Sequence, residues 1–220
     1  MKFSLNAAVV CLVTLPIAWA FPLDSLDLLK RVADLSLDTQ NDLSNGTPCK
    51  PITVIFARGT LSEGNVGLST GPPFFQEISK LTGIDNLAVQ GVTYSASVPG
   101  FLGGGDLAGS ETMAKLVDKA LTECPNTKVV MSGYSQGGQL VRNAARKLSA
   151  ASQAKVSSVV IFGDPNYGMA VGQIAASKVK IFCHTGDNIC EGGLLIFPPH
   201  QNYKDDAPAA AKFVVGLAGL

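Results

Sequence analysis

The sequence is poor in charge and has no excess of either sign. Only 15% of its 220 residues are charged, and 17 basic residues face 17 acidic ones when both histidines are counted as neutral. A protein that binds nucleic acid needs a basic patch to neutralise phosphates. The balance therefore argues against a nucleic-acid partner. With 46% hydrophobic residues, a chain of this length suits one well-buried domain.

Apolar runs long enough to cross a bilayer are also absent beyond the first residues. Lys2 is followed by an apolar stretch over residues 3–17 and then by AWA, the charged start, apolar middle and small-residue exit of a secretory signal peptide. The run is too short to span a bilayer comfortably. We therefore expect a signal peptide over residues 1–20, cleavage before Phe21, and a secreted, extracellular protein without a transmembrane segment.

Cysteine is scarce, and four cysteines remain once the signal peptide is removed: Cys49, Cys124, Cys183 and Cys190. An even number in an oxidising route predicts two disulfides. Of the three pairings that four cysteines allow, we favour Cys183 with Cys190, which flank the turn-like segment HTGDNI, and hence Cys49 with Cys124. The spacings contain no C-x-x-C pair, so no metal site is expected.

The segment over residues 21–48 differs in composition from the rest of the chain. It carries five aspartates and the dibasic step Lys30-Arg31, and we expect a mobile or processed leader, or a propeptide. The tripeptide NGT at Asn45 is a glycosylation sequon, weakened by the proline that follows it. The catalytic domain is then expected over residues 49–220.

Within this domain, short apolar runs alternate with segments of helical spacing, the pattern of parallel strands joined by crossover helices. The predicted strands are 52–57, 87–94, 128–132, 156–162 and 179–183, and the predicted helices are 73–81, 110–124, 136–148 and 207–217. The expected fold is α/β, with a small doubly wound parallel five-stranded sheet flanked by helices. In such a sheet, functional groups gather in the loops beyond the carboxyl ends of the strands.

The stretch VVMSGYSQGG ends an apolar run at a serine set between two glycines. A buried strand that feeds straight into a helix leaves room only for a tight turn, and glycine on either side of Ser135 relieves the crowding there. This is the logic of the G-x-S-x-G nucleophile elbow. The plainer alternative is a glycine-softened turn with an incidental serine. The strand-like residues before it and the helical spacing after it favour the elbow.

A serine nucleophile needs a neutral imidazole within hydrogen-bond reach, and the imidazole is oriented by a carboxylate. The chain has only two histidines. In the α/β-hydrolase order of serine, acid and histidine, His200 follows Asp187, whereas His184 precedes it and reverses the order. Asp164 is the competing acid. Asp187 is favoured because the expected disulfide around it would brace its loop.

Acyl transfer also needs hydrogen-bond donors where negative charge develops on the carbonyl oxygen. The backbone N–H after the nucleophile belongs to Gln136. A second donor is expected in the loop after the first strand, where Thr60 is the candidate, although a threonine in a glycine-containing turn is an equally simple reading. This chemistry requires no cofactor, and none is expected.

Together, the segments GYSQG, TGDxxC, PPHxxY and ARGT and the four cysteines resemble the cutinase family of secreted serine esterases, over roughly residue 49 to the C-terminus. The resemblance implies a lidless α/β-hydrolase fold and an insoluble polyester substrate, cutin, and we expect a monomer. It also implies the following residues: the triad Ser135, Asp187 and His200, the oxyanion hole of Thr60 and Gln136, and disulfides Cys49–Cys124 and Cys183–Cys190. One feature departs from the family. Its members often support the oxyanion-hole hydroxyl with an asparagine before the second long helix, and residues 95–106 contain none.

Apolar side chains on two loops suggest a rim around the site, formed by Val98, Phe101, Leu194, Ile196 and Phe197. Core packing is the alternative for these residues. The rim favours cutin, other aliphatic polyesters and short-to-medium acyl esters as substrates. Acetylxylan esterases share the GYSQG elbow but act on small acetyl groups and tend to have fewer bulky apolar residues at the site. The chain could also be a catalytically idle secreted recognition protein, against which the full catalytic set speaks.

Overall fold

The computed structural model describes residues 30–31 and 34–220 and contains a five-stranded sheet. The strands are β1 (Ile52–Ala57), β2 (Leu87–Gly91), β3 (Lys128–Tyr134), β4 (Ser158–Phe162) and β5 (Val179–Phe182). Their order is β2-β1-β3-β4-β5, and every neighbouring pair is parallel. The predicted α/β fold with a parallel five-stranded sheet is confirmed.

Helices cover both faces of this sheet. They are α1 (Gly71–Thr82), α2 (Val98–Leu102), α3 (Leu107–Glu123), α4 (Gln136–Lys147), α5 (Ala150–Lys155) and α6 (Ala207–Ala218). α1 and α6 pack together on one face, and α3 and α4 on the other. The side chains of β1 alternate between the two resulting cores: Val54 and Phe56 lie in the first, and Ile55 in the second. A strand buried on both faces must be apolar throughout, which is why the central strands appear as continuous apolar runs.

The sequence did not predict α2 or α5. They have five and six residues, too few to show helical periodicity. Each begins at a serine whose side chain accepts a hydrogen bond from the first turn: Ser97 from Gly100 N and Ser149 from Ser152 N. β2 also ends earlier than predicted, at Gly91, because its neighbour β1 ends shortly after the last paired position.

Residues 34–48 lie against the outer edge of β2, although the sequence placed them in a mobile or processed leader. Leu35 and Leu43 are buried, and Asp42 exchanges two hydrogen bonds with the backbone of Val89. The expectation of mobility does not hold for this part, because two apolar side chains and an open strand edge are covered together. The signal peptide over 1–20 and the cleavage before Phe21 lie outside the described residues.

Two disulfides join the loops to this framework, Cys49–Cys124 and Cys183–Cys190. The first connects the start of β1 to the end of α3, and the second closes the loop after β5. Within the part of the chain that the structure describes, no helix is long and apolar enough to cross a membrane.

Candidate active site

Ser135 lies in the tight turn between β3 and α4. Its φ of 56° and ψ of −121° place a non-glycine residue at positive φ, a strain on the order of 1–3 kcal/mol. A Cβ at Gly133 would lie 2.4 Å from the carbonyl oxygen of Gly137, and a Cβ at Gly137 would lie 2.0 Å from that of Ala57. Only glycine therefore fits on both sides of the serine, as the elbow interpretation requires.

The structure brings Ser135, His200 and Asp187 into one hydrogen-bonded chain. Oγ of Ser135 lies 3.0 Å from Nε2 of His200. Nδ1 of His200 lies 2.8 Å from Oδ2 and 3.0 Å from Oδ1 of Asp187. All three side chains are buried. This arrangement has the order nucleophile, base and acid, and it excludes water from the bonds between them.

The two residues predicted for the oxyanion hole are in direct contact. Nε2 of Gln136 donates to Oγ1 of Thr60 at 2.8 Å and to the carbonyl oxygen of Ser97 at 2.9 Å. Because Oγ1 of Thr60 accepts this bond, its own proton remains available for another acceptor. The backbone N–H of Gln136 stands at the N-terminus of α4, where helical N–H groups have no intrahelical acceptor. The support that the sequence lacked in an asparagine is supplied here by the Gln136 carboxamide.

A cleft of about 550 Å³ opens beside the nucleophile. It is lined by Thr60, Leu61, Ser62, Ser69, Val98, Phe101, Tyr134, Ser135, Leu194, Ile196, His200 and Gln201. Four of the five predicted rim residues are in this set, and Phe197 is not. Leu61 was not foreseen from the sequence; it lies at positive φ and is 76% exposed. The wall of the cleft is thus largely apolar.

Comparison with known proteins places this site in a family. The sequence profile described as Cutinase matches residues 48–217. The chain belongs to the cutinase family. It is therefore an enzyme of the serine esterase class, a carboxylic ester hydrolase. The matched range includes every residue of the chain and cleft described above.

Individual relatives agree with this membership. The chain is 54% identical over 172 residues to a cutinase of Botryotinia fuckeliana, covering 78% of this chain and 85% of that protein. It is 50% identical over 184 residues to cutinase pbc1 of Pyrenopeziza brassicae, covering 84% and 89%. The solved structure of Trichoderma reesei cutinase in complex with a C11Y4 phosphonate inhibitor matches with a TM-score of 0.78 and 46% identity, covering 89% of this chain and 86% of that chain.

In this cutinase-family chain, Tyr203 is a site residue that the sequence did not single out by role. Its hydroxyl donates to Oδ2 of Asp187 at 2.5 Å, and its side chain is fully buried. Burial raises the pKa of Asp187, but the hydrogen bonds from Tyr203 and His200 outweigh burial and hold that pKa below its ordinary value. Burial and the bond to Asp187 raise the pKa of Tyr203. The available signal was its position in the motif PPHxxY.

Tyr134, the residue before the nucleophile, supports the base. Its hydroxyl donates to the carbonyl oxygen of His200 at 2.8 Å, and its ring stacks on the imidazole with centroids 5.2 Å apart. Burial raises the pKa of Tyr134 to about 12, so its hydroxyl stays protonated and remains a donor. The variable position of the G-x-S-x-G motif therefore orients the segment that carries His200.

Arg58 holds the loop that carries Thr60. Its Nε donates to the carbonyl oxygen of Ser62, and Nη2 donates to that of Tyr94, both at 2.8 Å. Tyr94 returns a hydrogen bond from its hydroxyl to the carbonyl oxygen of Arg58. The guanidinium also lies over the Tyr94 ring, 4.8 Å from the centroid. The loop after β1 is thus fixed to the segment after β2.

A row of amides holds the opposite wall of the cleft. Gln136, Gln139 and Asn143 lie along one face of α4, and their carboxamides donate to carbonyl oxygens of the segment 97–104. This segment includes α2, which carries the rim residues Val98 and Phe101. The wall is therefore attached to the same helix that begins at the nucleophile.

The competing acid and the second histidine have other partners. Asp164 pairs with Arg142, with Nη2 and Oδ2 2.5 Å apart, and both side chains are buried. Arg142 also donates to the carbonyl oxygens of Met169 and Ala170, so this pair holds the loop after β4. His184 pairs with Asp206. Neither residue is part of the Ser135 chain.

Proposed function

We propose that this protein is a secreted carboxylic ester hydrolase that cleaves cutin, other aliphatic polyesters and short-to-medium acyl esters through a serine, histidine and aspartate triad and an acyl-enzyme. The observation that carries the proposal is the 3.0 Å contact between Oγ of Ser135 and Nε2 of His200 beside an apolar cleft. The relatives named cutinase support cutin as the natural class of substrate.

In the first half of the reaction, Oγ of Ser135 attacks the ester carbonyl carbon while Nε2 of His200 takes the hydroxyl proton. The carbonyl oxygen becomes negatively charged and accepts hydrogen bonds from the backbone N–H of Gln136 and from Thr60. Asp187 stabilises the imidazolium. Collapse of the tetrahedral intermediate breaks the bond to the leaving alkoxide, which receives the proton from His200 and departs as an alcohol.

The second half repeats these roles with water. His200 takes a proton from a water molecule as its oxygen attacks the acyl carbon of the Ser135 ester. The second tetrahedral intermediate breaks the bond to Oγ and releases the carboxylic acid, while the proton returns to Oγ of Ser135. Each polyester bond thus yields one acid and one alcohol.

The cleft favours aliphatic acyl chains over sugars. Leu61, Leu194 and Ile196 each expose more than half of their side chain at its edge. Each methylene of an acyl chain buried against such a wall contributes roughly 0.8 kcal/mol until the cleft is filled. We expect the preference to peak at mid-length esters such as butyrate. An apolar rim offers few hydrogen-bond partners to a hydrated polysaccharide, so acetylated xylan should be a poor substrate.

We further propose the cellular form of the enzyme. The signal peptide over 1–20 directs secretion, residues 49–220 form the catalytic domain with the packed segment 34–48 at its edge, and the enzyme acts as a monomer on an insoluble polyester. No sequence segment between the motifs is long and amphipathic enough for a lid. N-terminal sequencing of the secreted protein tests processing at Lys30-Arg31, and size-exclusion chromatography tests the oligomeric state.

The decisive experiment combines a label with a substrate panel. Purified protein is treated with a fluorophosphonate and mapped by mass spectrometry, and hydrolysis is measured on p-nitrophenyl esters from acetyl to palmitoyl, on polycaprolactone, on cutin and on acetylated xylan. We expect labelling at Ser135 and the highest rates on butyrate esters and aliphatic polyesters. No labelling would indicate an idle protein, and faster hydrolysis of acetylated xylan than of polycaprolactone would indicate a carbohydrate esterase.

A further inference from the structure

His184 and Asp206 form a second histidine–carboxylate pair that the proposed reaction does not use. His184 follows β5 directly after the disulfide residue Cys183, and Asp206 directly precedes α6. Nε2 of His184 lies 2.6 Å from Oδ2 of Asp206, and the two side chains are 26% and 23% exposed. The pair is therefore accessible to protons but partly shielded from water.

The other ring nitrogen of His184 also faces oxygen atoms. Nδ1 lies 2.8 Å from the carbonyl oxygen of Pro199 and 3.0 Å from Oδ1 of Asn202. A neutral imidazole has only one N–H, so one of its nitrogens would direct a lone pair at an oxygen. The imidazolium instead donates on both sides. The geometry around His184 thus suits the protonated ring.

The partners of His184 lead to both the base and the acid of the triad. Pro199 immediately precedes His200 in the chain. The His184 ring stacks on Tyr203 with centroids 4.2 Å apart, and the backbone N–H of His184 donates to the Tyr203 hydroxyl at 3.1 Å. That same hydroxyl donates to Oδ2 of Asp187. One imidazole therefore contacts the segment that carries the base and the side chain that holds the acid.

We propose that His184 is a positioning residue whose imidazolium fastens Tyr203 and the His200 segment, so that Asp187 and His200 stay aligned, and that the fastening weakens when the ring loses its proton. The proposal rests on the proposed function only for its effect on rate. The ionisable groups around the ring are Asp206 and Asp205 before α6, Tyr203 beneath it, and Asp187 beyond Tyr203.

The direction of the pH effect follows from these contacts. Burial lowers the pKa of His184, but the hydrogen bonds to Pro199 and Asp206 and the charge of Asp206 outweigh burial and raise it above the ordinary value. A raised pKa means that the fastening is fully present below the ordinary histidine pKa and is lost as the pH rises through the folded value. Activity itself needs His200 neutral, so the two histidines act in opposite directions.

A nuclear magnetic resonance titration tests the fastening without using activity. The chain has two histidines, and the variant H184Q assigns the two imidazole Cε1–H resonances. In the wild type we expect the His200 resonance to shift a second time as His184 titrates. The variant D206N should lower the His184 titration midpoint by about 1 unit. The matched control D205N removes the neighbouring charge but not the contact, and it should leave the midpoint in place.

Kinetics then test the consequence. The kcat for p-nitrophenyl butyrate in the wild type should fall about 10-fold as His184 deprotonates, with little change in KM, because small misalignments of catalytic groups are costly. H184Q and D206N should show a low kcat without this alkaline step, and D205N should retain the wild-type profile. If H184Q does not fold, D206N decides the outcome.

A wild-type alkaline profile in D206N, or a His200 resonance that ignores the His184 titration, would overturn the proposal. If no ester were hydrolysed by any form of the protein, the proposed function would fail, whereas the titration would still decide whether His184 is fastened as described.

Discussion

Nε2 of Gln136 lies 2.8 Å from Oγ1 of Thr60, so a side chain joins the two residues of the proposed oxyanion hole. The same nitrogen donates to Ser97 at the entry of α2. Gln136 therefore connects the nucleophile turn, the loop after β1 and the cleft wall. A hole held in this way is organised before substrate arrives, and preorganised donors need little rearrangement during the reaction.

Substitutions at Thr60 test the role of its hydroxyl. T60V keeps the shape and the backbone N–H but removes the hydroxyl, and we expect kcat to fall about 10²-fold to 10³-fold, the range for loss of one oxyanion donor. T60S keeps the hydroxyl and should retain most of the activity. Steady-state kinetics on p-nitrophenyl butyrate give the comparison. Equal rates in T60V and T60S would rule out a role for the hydroxyl.

The Gln136 carboxamide can be removed without touching the backbone N–H. Q136L should lower kcat by about 10-fold, because the Thr60 hydroxyl loses the bond that orients it. Q139L is the matched control, since it removes a neighbouring amide that bonds to the cleft wall but not to Thr60. It should cause a smaller loss. If Q139L were as damaging as Q136L, the effect would come from the wall and not from the hydroxyl.

Loss of a triad member should abolish hydrolysis while the fold remains. S135A and H200A should each lower kcat by at least about 10⁴-fold, because nucleophile and base act as one unit. D187N should cost nearly as much, since it stabilises the wrong imidazole tautomer. Far-ultraviolet circular dichroism and thermal unfolding check the fold of each variant. An active H200A would remove His200 from the role of base.

The rim can be tested with two neighbouring side chains. Ile196 lines the cleft, whereas Leu195, which is also exposed, does not. I196S should lower kcat/KM for the butyrate ester by about 10-fold, in line with the loss of one apolar contact surface, and change the acetate ester little. L195S should leave the butyrate-to-acetate ratio near that of the wild type. An equal change in both variants would mean that the cleft edge does not select the acyl chain.

Acid stability should depend on Asp187. Its folded pKa lies below the ordinary value of 3.8, so its contribution to stability is present above that value and is lost as the pH falls through the folded pKa. Y203F removes a donor to the carboxylate, raises the folded pKa, and should make acid unfolding begin at higher pH. Thermal midpoints measured between about pH 2 and pH 6 check this. Identical acid limbs in Y203F and the wild type would contradict it.

The two disulfides should contribute differently. In the chain-entropy model, the link across 75 residues from Cys49 to Cys124 stabilises the fold by about 4 kcal/mol and the link across 7 residues from Cys183 to Cys190 by about 2 kcal/mol. The short loop carries Asp187, so the C183S/C190S double variant should lose activity before it loses its fold. Urea unfolding and ester hydrolysis of the two double variants separate these effects. A C183S/C190S variant with wild-type kcat would show that the brace is not needed.

Some features of this site follow from local chemistry and could be predicted. The elbow is legible because the crowding around Ser135 involves residues within a few positions, and only glycine relieves it. The central strands are legible because burial on both faces demands unbroken apolar runs. The choice of His200 over His184 followed from chain order alone, and the structure brings His200 to Ser135 and His184 to Asp206.

Other features depended on contacts between residues far apart in the chain. The carboxamide of Gln136 reaches Thr60 across 76 positions, and no periodicity or motif spacing indicates such a contact. The packing of residues 34–48 on β2 depended on a strand edge that exists only once the sheet has formed. The partners of Asp164 and His184 were decided in the same way, because a polar side chain bonds to whichever donor or acceptor the packed backbone places within about 3 Å, and tertiary packing alone sets those positions.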